Sequence, residues 1–83
     1  MGHLADWECS EAVEAWLTLY HADEGIDTVG REGEGGFITW ARRITKGAPG
    51  FTTSMLRRVR WEAIAASFAI AARHQGQQAV SSR

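Results

Sequence analysis

The feature that most constrains this chain is a run of good helix formers at 51–75, FTTSMLRRVRWEAIAASFAIAARHQ, with apolar residues on two opposite faces. At about 100° per residue, Leu56, Val59, Ala63, Ala66 and Ile70 fall on one seam. Trp61, Ile64, Phe68 and Ala71 fall nearly opposite, with Ala65, Ala69 and Ala72 on a flank between them. A helix that is apolar nearly all round is buried on several sides. The plainer arrangement is a central helix clasped by the rest of the chain. The arrangement from which a function would follow puts one seam in the internal core and the other against a second molecule. The working expectation is that 56–72 carries more apolar surface than an 83-residue monomer hides, because chains of this size have little interior and often rely on assembly.

The ends of this run are marked. Pro49 and Gly50 interrupt what precedes it, and Thr52, Thr53 and Ser54 supply hydroxyls for the first free backbone N–H groups. Arg73 and His74 stand where cations favour a helix C-terminus, and Gly76 suits the position just beyond it. One helix over 52–75 is therefore expected, followed by a frayed polar tail at 76–83. Its apolar core, 61–72, is shorter than the ~20 apolar residues that cross a bilayer, so no membrane partner is expected.

Before this run the sequence divides into three stretches. Residues 6–22 have the pattern of an amphipathic helix with Asp6 as N-cap and Glu8 near the positive end of the dipole. Cys9, Ala12, Val13, Trp16, Leu17, Leu19 and Tyr20 gather on one side, and Glu11, Glu14 and Thr18 on the other. Trp7 projects toward the acidic side, where packing against 1–4 competes with a binding role. Residues 23–36, DEGIDTVGREGEGG, hold five glycines and no periodicity, which predicts a long acidic loop. Residues 37–46 read as a short helix with Phe37, Trp40, Ala41 and Ile44 on one face and Arg42, Arg43 and Lys46 outside. Arg42 and Lys46 are like charges at i and i+4, an unfavourable pairing on an isolated helix.

Net charge is −1, but it is unevenly spread. Residues 1–36 hold nine acids and one base (−8), and residues 37–83 hold eight bases and one acid (+7). Either the halves attract each other within the fold, or they form opposite surfaces for partners or for head-to-tail self-association.

Little here suggests catalysis. His3, His21 and His74 are scattered, and Cys9 and His21 are twelve positions apart, about 18 Å along a helix. Glu8, Glu11 and Glu14 follow an exposed face, where carboxylates stay solvated. Asp23 and Glu34 have the outer spacing of a calcium loop, but Gly25 and Thr28 occupy its third and sixth positions. The glycines lack the Gly-Lys-Ser/Thr ending of a phosphate-cradling loop. No enzyme activity, cofactor or metal is expected. A single cysteine excludes an internal disulfide, and no apolar leader opens the chain. The expected location is the cytoplasm or an assembled particle. Eight Arg against one Lys, with no Asn, is the composition of a high-GC genome and fits a phage or mobile-element product.

The expected fold is all-α: a small three-helix bundle with a long C-terminal helix and a Gly-rich acidic loop between the first two helices, in one domain over 1–83. The expected function is a non-catalytic protein–protein interaction module, docking on another protein or on copies of itself as an assembly component, inhibitor or adaptor. Trp and Arg most often dominate such contacts, so the candidates are Trp61, Phe68, Arg57 and Arg60, with Trp7 and Glu11 as a second, acidic surface. The alternative is nucleic-acid binding, in which the 37–46 helix, the 47–50 break and the start of the long helix have helix-turn-helix spacing. Arg42, Arg43, Lys46, Thr53, Arg57 and Arg58 would then meet phosphates or base edges.

Overall fold

The computed structural model describes residues 5–81, with side chains described as far as Gly76. It is all-α: α1 spans Asp6–Lys46, α2 Thr53–Arg58 and α3 Trp61–Ser81, and no strand occurs among the described residues. Three helices form, but not within the expected bounds and without the expected loop at 23–36. α1 alone runs for 41 residues, interrupted at His21 (φ −139°, ψ 28°) and at Gly33 (φ 79°, ψ −179°).

The break at Gly33 is a reversal. The His21 and Trp40 ring centroids lie 6.4 Å apart, and a Cβ on Gly25 would sit 3.3 Å from Phe37 Cε1. Along an unbroken helix the twelve residues from Gly25 to Phe37 would cover about 18 Å. Segments 22–32 and 34–46 therefore fold back on each other. Gly33 permits this because φ near +79° with extended ψ belongs almost wholly to glycine.

The acidic stretch expected as a loop is thus helical, and burial explains why. Gly25, Thr28 and Val29 all face inward at helical spacing. A Cβ at Gly25 would come 2.5 Å from Phe68 Cε2, so the missing side chain is what admits the ring. Outside, Arg31 Nε donates to Asp27 Oδ2 at 2.9 Å across one helical turn.

The 52–75 helix is also not continuous. Thr52 caps α2 as its hydroxyl suggested, accepting from the Met55 N–H at 3.1 Å. Then Val59 turns extended (φ −72°, ψ 136°) and the Arg60 carbonyl restarts the helix by accepting from Ala63 and Ile64. The break is held across the chain by the Arg60 N–H, which donates to Ser10 Oγ at 2.8 Å. It also brings the two seams together at the point where they meet. In one straight helix Val59 and Trp61 point about 200° apart. With the axis reset between them, Val59, Trp61, Ile64, Ala65 and Phe68 all enter one core.

That core joins them to Cys9, Val13 and Leu17 from 6–20 and to Val29, Phe37, Trp40 and Ala41. Its centre is the Phe37–Phe68 pair, 4.7 Å between centroids. The expected excess of apolar surface is largely absent, since of the two seams only Ile70 remains a large exposed side chain, at 51%. At the N-terminus the cap is Ala5, not Asp6. The Ala5 N–H donates to Glu8 Oε1 at 2.8 Å, leaving Asp6 in the first turn, where it pairs with Arg58 at 3.2 Å. The tail at 76–83 is helical as far as Ser81, and residues 82–83 lie outside the described residues.

Candidate functional site

Three elements meet at the basic end of the molecule. Segment 34–46 turns Ala41 and Thr45 fully inward, and this rotation puts Arg42, Arg43 and Lys46 outside. Thr45 seats that face by donating its hydroxyl to the Ala41 carbonyl at 2.8 Å. α2 packs beside it and presents Thr53, Leu56 and Arg57, and α3 begins with Trp61. Between them lies an open groove of about 470 Å³.

Its chemistry is divided. Leu56 and the exposed edge of Trp61 form an apolar floor, while Arg42, Arg43, Lys46 and Arg57 stand around it. No carboxylate lines it, and none of these four cations has a carboxylate oxygen within ion-pair distance among the described residues. Four cations around one depression repel each other, and an anion placed among them relieves that repulsion.

The groove gathers five of the six residues considered for nucleic-acid contact: Arg42, Arg43, Lys46, Thr53 and Arg57. Arg58, the sixth, is outside it and bonded to Asp6. The docking candidates separate further. Arg57 and Trp61 meet in the groove, but Trp61 is only 9% exposed, so it is a floor and not a protruding anchor. Phe68, 5% exposed, belongs to the core against Phe37 and Gly25 and is not a surface residue of this fold. Arg60 is exposed outside the groove, with its backbone committed to Ser10. Trp7 and Glu11 are exposed one turn apart on segment 6–20 and do not line the groove. The residues at 1–4 proposed to cover Trp7 lie outside the described residues, as does His3.

Two features of the surface escaped sequence reasoning. Leu19 and Tyr20, assigned to the buried side of the first helix, are 72% and 66% exposed; Leu19 stands about 200° round the helix from the fully buried Leu17. Beyond them, Glu24, Asp27 and Glu32 line a second depression of about 270 Å³ on segments 22–32 and 34–46. Arg43 is the one residue common to both depressions.

His21 sits at the first break, its Nδ1 2.8 Å from Glu24 Oε1 and its ring 4.8 Å from that of Trp16. Cys9 is a buried free thiol. Among the described residues no three His, Cys, Asp or Glu side chains converge as metal ligands, and no helix is long and apolar enough to cross a membrane. No family model matches the chain, and neither a curated protein nor a solved structure matches it.

Proposed function

We propose that this protein is a non-catalytic docking module that grips an acidic segment of a protein partner in the groove of Arg42, Arg43, Lys46 and Arg57. One observation carries the reading: four cations without carboxylate partners surround an apolar floor of Leu56 and Trp61. An apolar floor seats an aliphatic or aromatic anchor, and the cations meet carboxylates on either side of it. Interfaces of that kind are rich in Arg and Trp, and their charge pattern sets encounter rate and partner choice. Such a module acts as an assembly component, or as a small inhibitor or adaptor on a larger machine.

Nucleic-acid binding is the second reading, supported by the same convergence of Thr53 with the four cations. The helix after the turn argues against the helix-turn-helix form. α2 has six residues, fewer than two turns at 3.6 residues each, where a recognition helix must lie along a groove of the duplex. The concave floor also suits a side chain better than a duplex surface.

A titration followed through the Trp61 indole N–H signal separates the two readings. An acidic peptide carrying Leu or Phe between Asp and Glu residues should shift that signal, and the same peptide with Asn and Gln should not. Binding should weaken at least about tenfold between ~50 and ~500 mM salt, as for surface charges screened over a Debye length. If instead duplex or single-stranded DNA shifts the groove signals while the acidic peptide leaves them unmoved, the docking reading fails and the nucleic-acid reading replaces it.

A further inference from the structure

We infer that the acidic segment taken by the groove is supplied by a second copy of this chain, through residues 19–27, so that the protein associates head to tail. The inference rests on the docking reading above and names its partner.

Three observations lead to it. The charge division of the sequence is not consumed within the fold: among the described residues only Asp6–Arg58 joins an acid of the first half to a base of the second. The other two contacts, the His21–Glu24 hydrogen bond and the Asp27–Arg31 ion pair, stay within one helical turn of the acidic half. Asp27–Arg31 is an exposed single pair, which exchanges readily for a better-placed partner, and Glu24 is exposed beside the half-buried His21.

Residues 19–27 also have the composition that the groove calls for. Leu19 and Tyr20 are an exposed apolar pair, and Asp23, Glu24 and Asp27 follow them, all exposed. Apolar side chains next to three carboxylates complement an apolar floor ringed by cations.

Finally, one molecule does not satisfy itself. Glu24 and Asp27 open into the second depression, while the groove lies between segment 34–46, α2 and the start of α3. Apart from Arg43, which the two depressions share, the acidic segment and the groove are different patches of the same surface. A contact between unlike patches is heterologous, and it continues from copy to copy until a ring closes or a chain of subunits forms.

Sedimentation velocity on the full chain tests this. The wild type should associate with rising concentration at ~50 mM salt and dissociate at ~500 mM. A groove variant, Lys46→Glu with Arg57→Glu, and a segment variant, Leu19→Ser with Glu24→Lys, should each stay monomeric where the wild type associates. Mixed in equal amounts, they should form a heterodimer that grows no further, because the groove of the segment variant and the segment of the groove variant are both intact. All four substitutions are at exposed positions, and the wild-type dilution series needs no variant at all. A wild type that is monomeric at low salt up to ~1 mM, the weakest affinity of interest, would overturn the inference. So would a mixture of the two variants that stays monomeric. If the Trp61 indole still responds to the acidic peptide in that monomer, self-association alone has failed. If it does not, the docking reading has failed with it.

Discussion

Residues 22–36 and residues 51–75 are opposites in composition, and each contains one sharp break in otherwise helical chain. The first is glycine-rich and acidic, the second alanine-rich with hardly a residue that disfavours helix. Yet the first stays helical up to Gly33, and the second stops and restarts at Val59 and Arg60. Local propensity decides neither case. In the first, Gly25, Thr28 and Val29 are held against the core, and the helix persists despite the glycines around them. In the second, one straight helix would face Val59 and Trp61 in opposite directions, and the extended Val59 lets both enter the core, while Ala63 and Ile70 stay exposed. Summed burial outweighs helix propensities of up to about 1 kcal/mol per residue.

The strongest way to break this comparison is to remove the side chain that the two regions share. Phe68 lies against Gly25 from the first region and against Phe37 across the reversal. Phe68→Ala should cost about 3–5 kcal/mol in urea or thermal unfolding, the range for a buried ring replaced by a cavity. A loss below about 1 kcal/mol would mean that the regions are not joined through this ring.

Paired glycine substitutions sharpen it. Gly33→Ala should destabilise by about 1–3 kcal/mol, because its backbone conformation is one that L-residues rarely adopt. Gly30 is helical, exposed and has nothing within 4 Å of an added Cβ, so Gly30→Ala should stabilise by about 0.4–1 kcal/mol. Opposite signs three residues apart are what a helical hairpin requires. Equal, near-zero effects are what the flexible loop of the sequence expectation would give.

The smallest effect concerns the second break. Ser10→Ala removes the hydroxyl that accepts the Arg60 N–H and should cost about 1 kcal/mol. Amide exchange at Arg60 should quicken in that variant while exchange at Ile64 changes little.

These cases also show what was legible in the residues. The helical class was, and so were the Thr52 cap and the outward placement of Arg42, Arg43 and Lys46, because each depends on neighbours within a turn or two. The hairpin was hidden because glycine reads as a breaker, whereas Gly25 is an inward position kept free of a side chain for Phe68. The break at Val59 was hidden because its cause is tertiary: two seams competing for one core, and a hydroxyl fifty residues away. The groove was half legible. Its four cations stand out in the sequence, but Leu56 and Trp61 become its floor only after the axis resets. Leu19 and Tyr20 were assigned to the core because the apolar stripe reads wider than it is: Cys9, Val13 and Leu17 fill the core, and Leu19 stands about 200° round the helix from Leu17.

The most direct test of the docking account is calorimetric titration of the acidic, Leu- or Phe-anchored peptide into wild type and into the Lys46→Glu, Arg57→Glu variant. The account predicts binding to the wild type, weakened at least about tenfold in the folded variant, roughly 1.4 kcal/mol or more. Equal affinity for both proteins, or no binding to either, would contradict it.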